Sequence, residues 1–504
     1  MLTLTHIADT HLGHRQYGVK QREDDMMSTL QAAITEMTAE RDTDAILLPG
    51  DLFDSRDLRP KVIDQAERIF ADVPEDVPIL VSRGNHDENL SPREVTWLNY
   101  LHQRGHVVFL NADLETNPET AQFDIYNPDD PGYAAGFYDI ATDGLERPVR
   151  VFGLQWRGAR AAKALQQVAN GITRVNNSHG QPAYTVLLGH FGIEDEVPTL
   201  GGTVTHADLR ELKQVVDYLA IGHIHKQYEA AGWIYNPGSP EAHTTREGRD
   251  DWNHGYYSIA LNQQTSSDTD IVTSEVTHHL TKRRPYYRVE FDVTAYSSAG
   301  ELEKAFKQHV KAEKSTLLAH CRQDRFTANG EPRSPIVDLR FTGTLQFTRG
   351  DFRTDELSAW VEDAYDALYV QLNTGIRTAD VQQLIADIDE ADVFEDGQLN
   401  TAALESEVFE TIAQESVYAE QASNVADVLG NAHQMAQTNE AVEDIQESVS
   451  SARQELFPHK VDDIVLDIDE DPFANQTHND RIDTNTTQRQ LGQSETNDTV
   501  GVGE

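Results

Sequence analysis

Short apolar runs alternate with longer amphipathic stretches through the first half of the chain. The strand-type runs cover residues 2–7, 45–48, 79–81, 149–153, 184–188, 218–221 and 233–235. Helical patterns fill 25–40, 61–71 and 161–169. Strands alternating with helices predict an α/β core over residues 1–255. The stretch 111–147 is rich in Asp, Asn, Pro and Gly and predicts loops and irregular edge structure. Residues 263–284 are polar and read as a connector. Strand patterns at 286–293, 336–341 and 368–372 then alternate with helical ones at 298–311 and 354–366, which predicts a small α+β cap domain over 285–376.

The character changes after residue 376. An acidic linker is expected over 377–400. Helical patterns follow over 401–460, where Val442, Ile445, Val449, Ala452 and Leu456 recur at spacings of three and four, and Leu404, Val408 and Ile412 at four, each an apolar stripe. Such a stripe suits either a helical hairpin folded onto the body or an element that docks on a partner. Residues 461–504 are dominated by Asp, Asn, Thr and Gln and are expected to be disordered.

Composition narrows the chemistry. With one cysteine, Cys321, in 504 residues, disulfide frameworks and cysteine-based zinc sites are excluded. Any metal must be held by His, Asp, Glu or Asn. No run approaches the eighteen or so apolar residues of a membrane span, so an intracellular, soluble protein is expected. The net charge is −44, and residues 377–504 carry −24 of it, from 29 acidic and 5 basic residues. An acidic, partly disordered chain or a surface adapted to high salt would each explain this. The acidity runs through well-patterned segments, which favours the second. A net-negative chain is a poor prior for DNA binding, but at ~1 M salt the Debye length is about 3 Å, so local Arg and Lys decide.

Five strand patterns of the first domain each run directly into ligand-type residues. In order they give Asp9-Thr10-His11, Gly50-Asp51, Gly84-Asn85-His86-Asp87, Gly189-His190 and Gly222-His223-Ile224-His225. In α/β folds ligands gather beyond the carboxyl ends of strands, so turns spread over more than 200 residues can converge. Glycine precedes four of the five clusters, and the missing Cβ lets ligands crowd together. Singly, each motif is more often a polar turn or a packed loop histidine; the ordered conjunction is far more specific. Such a donor set suits Mn, Fe, Co or Zn rather than Ca. Two cations ~3.5–4 Å apart can share one carboxylate and hold a hydroxide between them. Asp51 is the natural bridge, being alone on its turn, and alternation along extended chain can send His223 and His225 to different metals.

These motifs resemble those of the calcineurin-like metallophosphoesterases, and within them the double-strand-break repair nucleases of the Mre-eleven/SbcD family, of archaeal and halophilic type. The stretch Asp9–Tyr17, then Arg22-Glu23-Asp24-Asp25, Gly50-Asp51-Leu52-Phe53-Asp54 and Asn236-Pro237-Gly238-Ser239-Pro240 carry the resemblance, which covers the first 245 residues. It implies a four-layer α/β sandwich with a cap domain and a helical C-terminal region. It implies two Mn(II) ions, one held by Asp9, His11 and His225, the other by Asn85, His190 and His223, with Asp51 between. His86 would face the scissile phosphate and protonate the leaving oxygen, and Asp87 could orient the His86 ring. A Mn-dependent 3′–5′ exonuclease and single-strand endonuclease is implied, homodimeric, in complex with an SMC-like ABC ATPase of the Rad-fifty/SbcC type. The alternative is a non-nuclease phosphoesterase acting on nucleotides or phosphoproteins. Arg15, Lys20, Arg22, Arg56, Arg59 and Lys61 follow two of the metal turns and either contact DNA or are ordinary surface cations. Lys282-Arg283-Arg284 either contacts DNA at the hinge or neutralises nearby carboxylates.

Overall fold

The computed structural model describes residues 2–88, 95–141, 144–197, 203–249, 251–265, 270–328 and 330–378, and, beyond these, 394–395, 398–399, 409–410, 413, 421–437 and 442–457. The chain divides into two units, residues 1–379 and 380–504.

Twelve strands build the main body of the first unit: β1 (Leu2–His6), β2 (Ala45–Pro49), β3 (Ile79–Ser82), β4 (Val108–Phe109), β5 (Phe137–Ile140), β6 (Val149–Gly153), β7 (Tyr184–His190), β8 (Tyr218–Gly222), β9 (Tyr228–Ala230), β10 (Ile234–Asn236), β11 (Gly255–Thr265) and β12 (Asp270–Leu280). They form two six-stranded sheets, ordered β12-β11-β1-β2-β3-β4 and β5-β6-β7-β8-β10-β9. Each sheet has a parallel centre, β1-β2-β3-β4 in one and β6-β7-β8 in the other. Consequently the carboxyl ends of these strands lie at one edge of each sheet.

Side-chain alternation explains the layers. Leu2, Leu4, Ala45, Leu47 and Leu80 of the first sheet meet Val149, Val151, Val186, Leu188, Tyr218 and Ala220 of the second in one buried cluster. The opposite faces carry Ile46, Leu48 and Val81, which pack on the helices α1 (Lys20–Ala39), α2 (Pro60–Ala71) and α3 (Trp97–Gln103), and Phe152, Leu187, Leu219 and Ile221, which pack on α4 (Ala161–His179). Strands buried on both faces read as continuous apolar runs. The result is the calcineurin-like phosphoesterase fold expected from the sequence: helices, two sheets, helices.

One expectation is corrected. The polar stretch 263–284 is largely not a connector: β11 pairs antiparallel with β1, and β12 with β11, so the first sheet extends to Leu280. The cap follows as a three-stranded parallel sheet of Tyr286–Asp292, Ile336–Leu345 and Tyr369–Thr378, joined by the helices Ala299–Cys321 and Thr354–Tyr365. Phe291, Phe306, Leu339, Phe341, Val361 and Tyr365 are in its core.

Cap and body meet over a buried ionic network. Arg22, fully buried, donates to Asp25 (2.5 Å), Gln16 (2.9 Å), the Ala242 carbonyl (2.7 Å) and the Tyr286 hydroxyl (3.2 Å), and lies 3.1 Å from Glu241. Arg284 closes the network with a two-pronged bond to Asp25, at 2.6 and 2.8 Å.

In the second unit, the strands Phe394–Glu395 and Gln398–Leu399 pair inside the stretch expected to be a linker. The helices Ala422–Gln437 and Val442–Leu456 form a pair whose side chains Val425, Val428, Leu429, Val449, Leu456 and Phe457 line an apolar groove of about 160 Å³. The upstream stripe positions Leu404, Val408 and Ile412 and the tail 461–504 lie outside the described residues. No helix among the described residues is long and apolar enough to cross a membrane.

Candidate metal centre

The five turns named from the sequence converge beyond the carboxyl ends of β1, β2, β3, β7 and β8. Backbone bonds zip the first two together: Asp9 N–H donates to the Gly50 carbonyl (3.3 Å), His11 N–H to Asp51 (3.1 Å) and Leu12 N–H to Leu52 (2.9 Å). Asp9, His11, Asp51 and His223 all adopt left-handed backbone, with φ of 54°, 42°, 50° and 92°. A Cβ on Gly84 would overlap the Asp51 carboxylate, and one on Gly50 would overlap the His190 ring. Both glycines are therefore required by close approach of ligand-bearing turns.

Two groups of donors share Asp51. Asp9, His11 and Asp51 place one donor atom each within 4.8 Å of one another, and so do Asp51, His190 and His223. His190 Nε2 is 3.1 Å from Asp51 Oδ2 and 3.1 Å from Asn85 Oδ1. Asn85 Oδ1 is also 3.1 Å from His223 Nδ1. The His223 backbone N–H donates to both Asp9 oxygens, at 2.9 and 3.1 Å. His225 joins from the side of His11, their ring centroids 5.0 Å apart.

The electrostatics divide the cluster, favouring the charged form of His190 and His225 and the neutral form of His11 and His223. Burial opposes protonation of His190, yet the Asp51 carboxylate raises its pKa to about 9. Burial likewise opposes a charged His225, but Glu247 raises it to about 9. Asp51, whose burial alone would favour the acid, is held below the usual carboxylate range by His190 and His11. Burial and the neighbouring His190 lower His223 to about 4. Both ring nitrogens of His11 are buried without a hydrogen-bond partner; its nearest carboxylates are 3.5 and 3.6 Å away. Such orphaned nitrogens facing carboxylates fit divalent cations, which would satisfy donors that hydrogen bonds do not.

His86 lies at the rim. Its backbone N–H donates to Asp51 (2.9 Å), and its exposed ring donates Nδ1–H to the Asp54 carbonyl at 2.7 Å. A carbonyl only accepts, so Nδ1 keeps its proton and Nε2 is the nitrogen able to exchange one.

Asp87 differs from expectation. Its carboxylate accepts backbone N–H bonds from Leu52 (3.3 Å), Phe53 (3.0 Å) and Gly84 (3.1 Å). It therefore fixes the two turns that present Asp51 and Asn85, and the Asp54 carbonyl orients His86. Burial, then the charge of Asp51, raises the pKa of Asp87 to about 6.

Among the basic candidates, Arg22 is buried in the cap seam and offers nothing to a ligand. Arg283 and Arg284 are buried there too, which answers for the neutralising role of that run, while Lys282 is exposed near Asp324. Arg15, Arg59 and Lys61 surround the buried Glu23 carboxylate with partly exposed side chains. Arg56 and Lys20 are exposed.

Residues that sequence reasoning missed also face the centre. His243 places a ring nitrogen within 4.8 Å of donors from His11 and His225, and burial holds its pKa well below the ordinary histidine value. His14 and His11 both flank Asp54. Glu247 faces His225. His243 and Glu247 sit in a loop with no strand to announce them; their only signal is that they follow the Asn236–Pro240 stretch.

A model of the calcineurin-like phosphoesterase family matches residues 2–227. Over this stretch the chain is similar to calcineurin-like phosphoesterases. Curated relatives of the phosphoesterase domain include DNA double-strand break repair protein Mre11 of Sulfurisphaera tokodaii, 27% identical over 247 residues, which cover 47% of this chain and 54% of that one. The Aeropyrum pernix Mre11 is 35% identical over 102 residues, 20% of this chain and 24% of its own. That of Halobacterium salinarum is 31% identical over 161 residues, 29% of this chain and 40% of its own. The chain spans about half the length of these relatives, or less. Among solved structures, a calcineurin-like phosphoesterase from Bacillus subtilis aligns with 62% of this chain and 97% of its own at 12% identity and a TM-score of 0.36, too distant to add to the argument.

Proposed function

We propose that this protein is a metal-dependent DNA nuclease that processes ends in double-strand-break repair. The observation that carries the reading is the convergence of Asp9, His11, Asp51, Asn85, His190, His223 and His225 in a phosphoesterase domain similar to Mre11 proteins. Asp9, His11 and His225 would hold one Mn(II), Asn85, His190 and His223 a second, and Asp51 would be shared. When bound, the two ions supply a nucleophile at neutral pH and neutralise charge on the phosphoryl oxygens.

The chain's own residues do the rest. Asp87 holds the Asp51 and Asn85 turns in register. His86 presents Nε2 to the phosphodiester, with Nδ1 fixed by the Asp54 carbonyl, so the proton given to the leaving oxygen comes from Nε2. Arg15, Arg56 and Arg59 would meet the DNA backbone. The apolar groove of the C-terminal helix pair supports docking of an SMC-like coiled-coil ATPase, and a homodimer is expected.

The test is incubation with end-labelled duplex DNA and Mn(II) in molar KCl, with short products released from the 3′ end as the expected result. Hydrolysis of a small phosphoester with DNA left intact would replace this reading with a non-nuclease phosphoesterase.

A further inference from the structure

The two cation positions are backed differently. On one side, His190 donates Nδ1–H to a neutral group, the Pro49 carbonyl, at 2.8 Å. On the other, His225 Nδ1 faces a carboxylate, Glu247 Oε2, at 3.3 Å. Glu247 is itself buried and fixed by its own loop: the same oxygen accepts the His243 backbone N–H at 2.8 Å, Thr244 Oγ1 lies 3.3 Å from the other oxygen, and the Glu247 N–H donates back to Thr244 Oγ1 at 3.2 Å. The loop therefore delivers a pre-oriented anion to one imidazole of the centre.

We propose that Glu247 is a positioning residue for His225 and makes the His11/His225 cation position the tighter of the two. A carboxylate accepting Nδ1–H leaves the lone pair on Nε2, fixes the ring plane and makes the imidazole a stronger donor. A carbonyl fixes the tautomer as well, but contributes no full negative charge. Glu247 adds a further anion on the side that already has the Asp9 carboxylate where the other has the neutral Asn85, and so widens the difference in affinity. His243 Nδ1 stands 3.1 Å from the same His225 nitrogen as a second, neutral acceptor, and its ring packs 4.6 Å from His11.

The inference rests on the dinuclear reading, and the experiment separates the two. Mn(II) binding to the full-length chain is followed by electron paramagnetic resonance of the free ion and by calorimetry. The wild type is expected to show two classes of site. Glu247→Ala should weaken the tight class by about 10–100-fold, the usual cost of losing such a partner, and narrow the gap between the two classes. Glu247→Gln, which keeps an acceptor but no charge, should fall between. In the Zn(II)-loaded protein, the His225 Nδ1–H resonance in ¹⁵N-histidine spectra should shift in both variants while that of His190 stays in place. A merely structural role would leave these resonances alone once folding is confirmed by circular dichroism. Two classes in the wild type that remain unchanged in Glu247→Gln and Glu247→Ala would overturn the inference alone. A wild type that binds fewer than two ions would overturn the dinuclear reading itself.

Discussion

Arg22→Met separates stability from substrate contact at a position that sequence reasoning placed near DNA. The guanidinium is fully buried and serves Asp25, Glu241, Gln16, Ala242 and Tyr286 together. Removing it leaves Glu241 and half of Asp25's ionic partnership in a dry seam. Breaking one partner of a buried ion pair costs about 3–5 kcal/mol. At roughly 2 °C per kcal/mol for a large unit, the midpoint should fall by about 6–10 °C. The sign with pH follows from Glu241. Burial opposes its ionisation, but Arg22 and Arg283 depress its pKa. A depressed carboxylate contributes stability above its unfolded-state pKa and loses it as pH falls through the folded value, so in Arg22→Met that acid limb should begin at higher pH. Replacing both partners, as in Arg22→Met with Glu241→Leu, should recover part of the loss, because the uncompensated Glu241 charge is gone while the Ala242 and Arg284 N–H groups lose their acceptor. Thermal unfolding of the three proteins between pH 4 and 8 is the assay. A single variant within 1 kcal/mol of wild type, or a double variant less stable than the single one, would refute the network as a determinant of the seam.

Other outcomes follow from the centre and its surroundings. His86→Asn should abolish cleavage while both metal and DNA binding persist; loss of metal would show that the ring is a ligand rather than a proton donor. Asp87→Ala should release three backbone N–H groups, each worth about 1–3 kcal/mol when buried unsatisfied, and should lower metal affinity at Asp51 and Asn85; unchanged metal binding would contradict its buttressing role. Arg59→Ala should weaken binding across DNA sequences and reduce the salt slope by about one, whereas an unaltered slope would remove it from the interface. Deleting residues from 401 onward should abolish co-purification with the ATPase and spare Mn-dependent cleavage of single strands; retained co-purification would sink the docking proposal.

The parts of the molecule that sequence made legible are those with local rules. Ile79–Ser82 running into Gly84-Asn85 is readable because a strand buried on both faces is uniformly apolar and its end is marked by glycine. The β11–β12 hairpin was missed because its outer half alternates exposed polar residues such as Asn262 and Ser274, which resemble a connector when nothing says what lies beneath. Arg22 was misplaced for another reason. A charged residue goes inside only when opposite charges are brought to it, and Glu241 and Arg284, more than 200 residues away, complete the network in space. Asp87 illustrates the same limit at short range. Adjacency to His86 suggested a ring contact, but the turn sends its carboxylate to Leu52 and Phe53.

Backbone strain gives a reason why the centre obeys sequence rules so closely and its support does not. Of the eight described non-glycine residues with positive φ, four are Asp9, His11, Asp51 and His223. Each left-handed residue costs roughly 1–2 kcal/mol, so their geometry persists only if the surroundings impose it. The compensation lies in contacts between turns: Asp9 to Gly50, His11 to Asp51, and the His223 N–H to the Asp9 carboxylate. None of these is visible along the chain, because each joins different strand ends. Motif residues can be named from spacing because the chemistry restricts them to Asp, His and Asn. The residues that hold them in a strained posture, Asp87 and Glu247 among them, answer only to geometry, and a loop such as 241–247 can supply them without leaving a periodic trace.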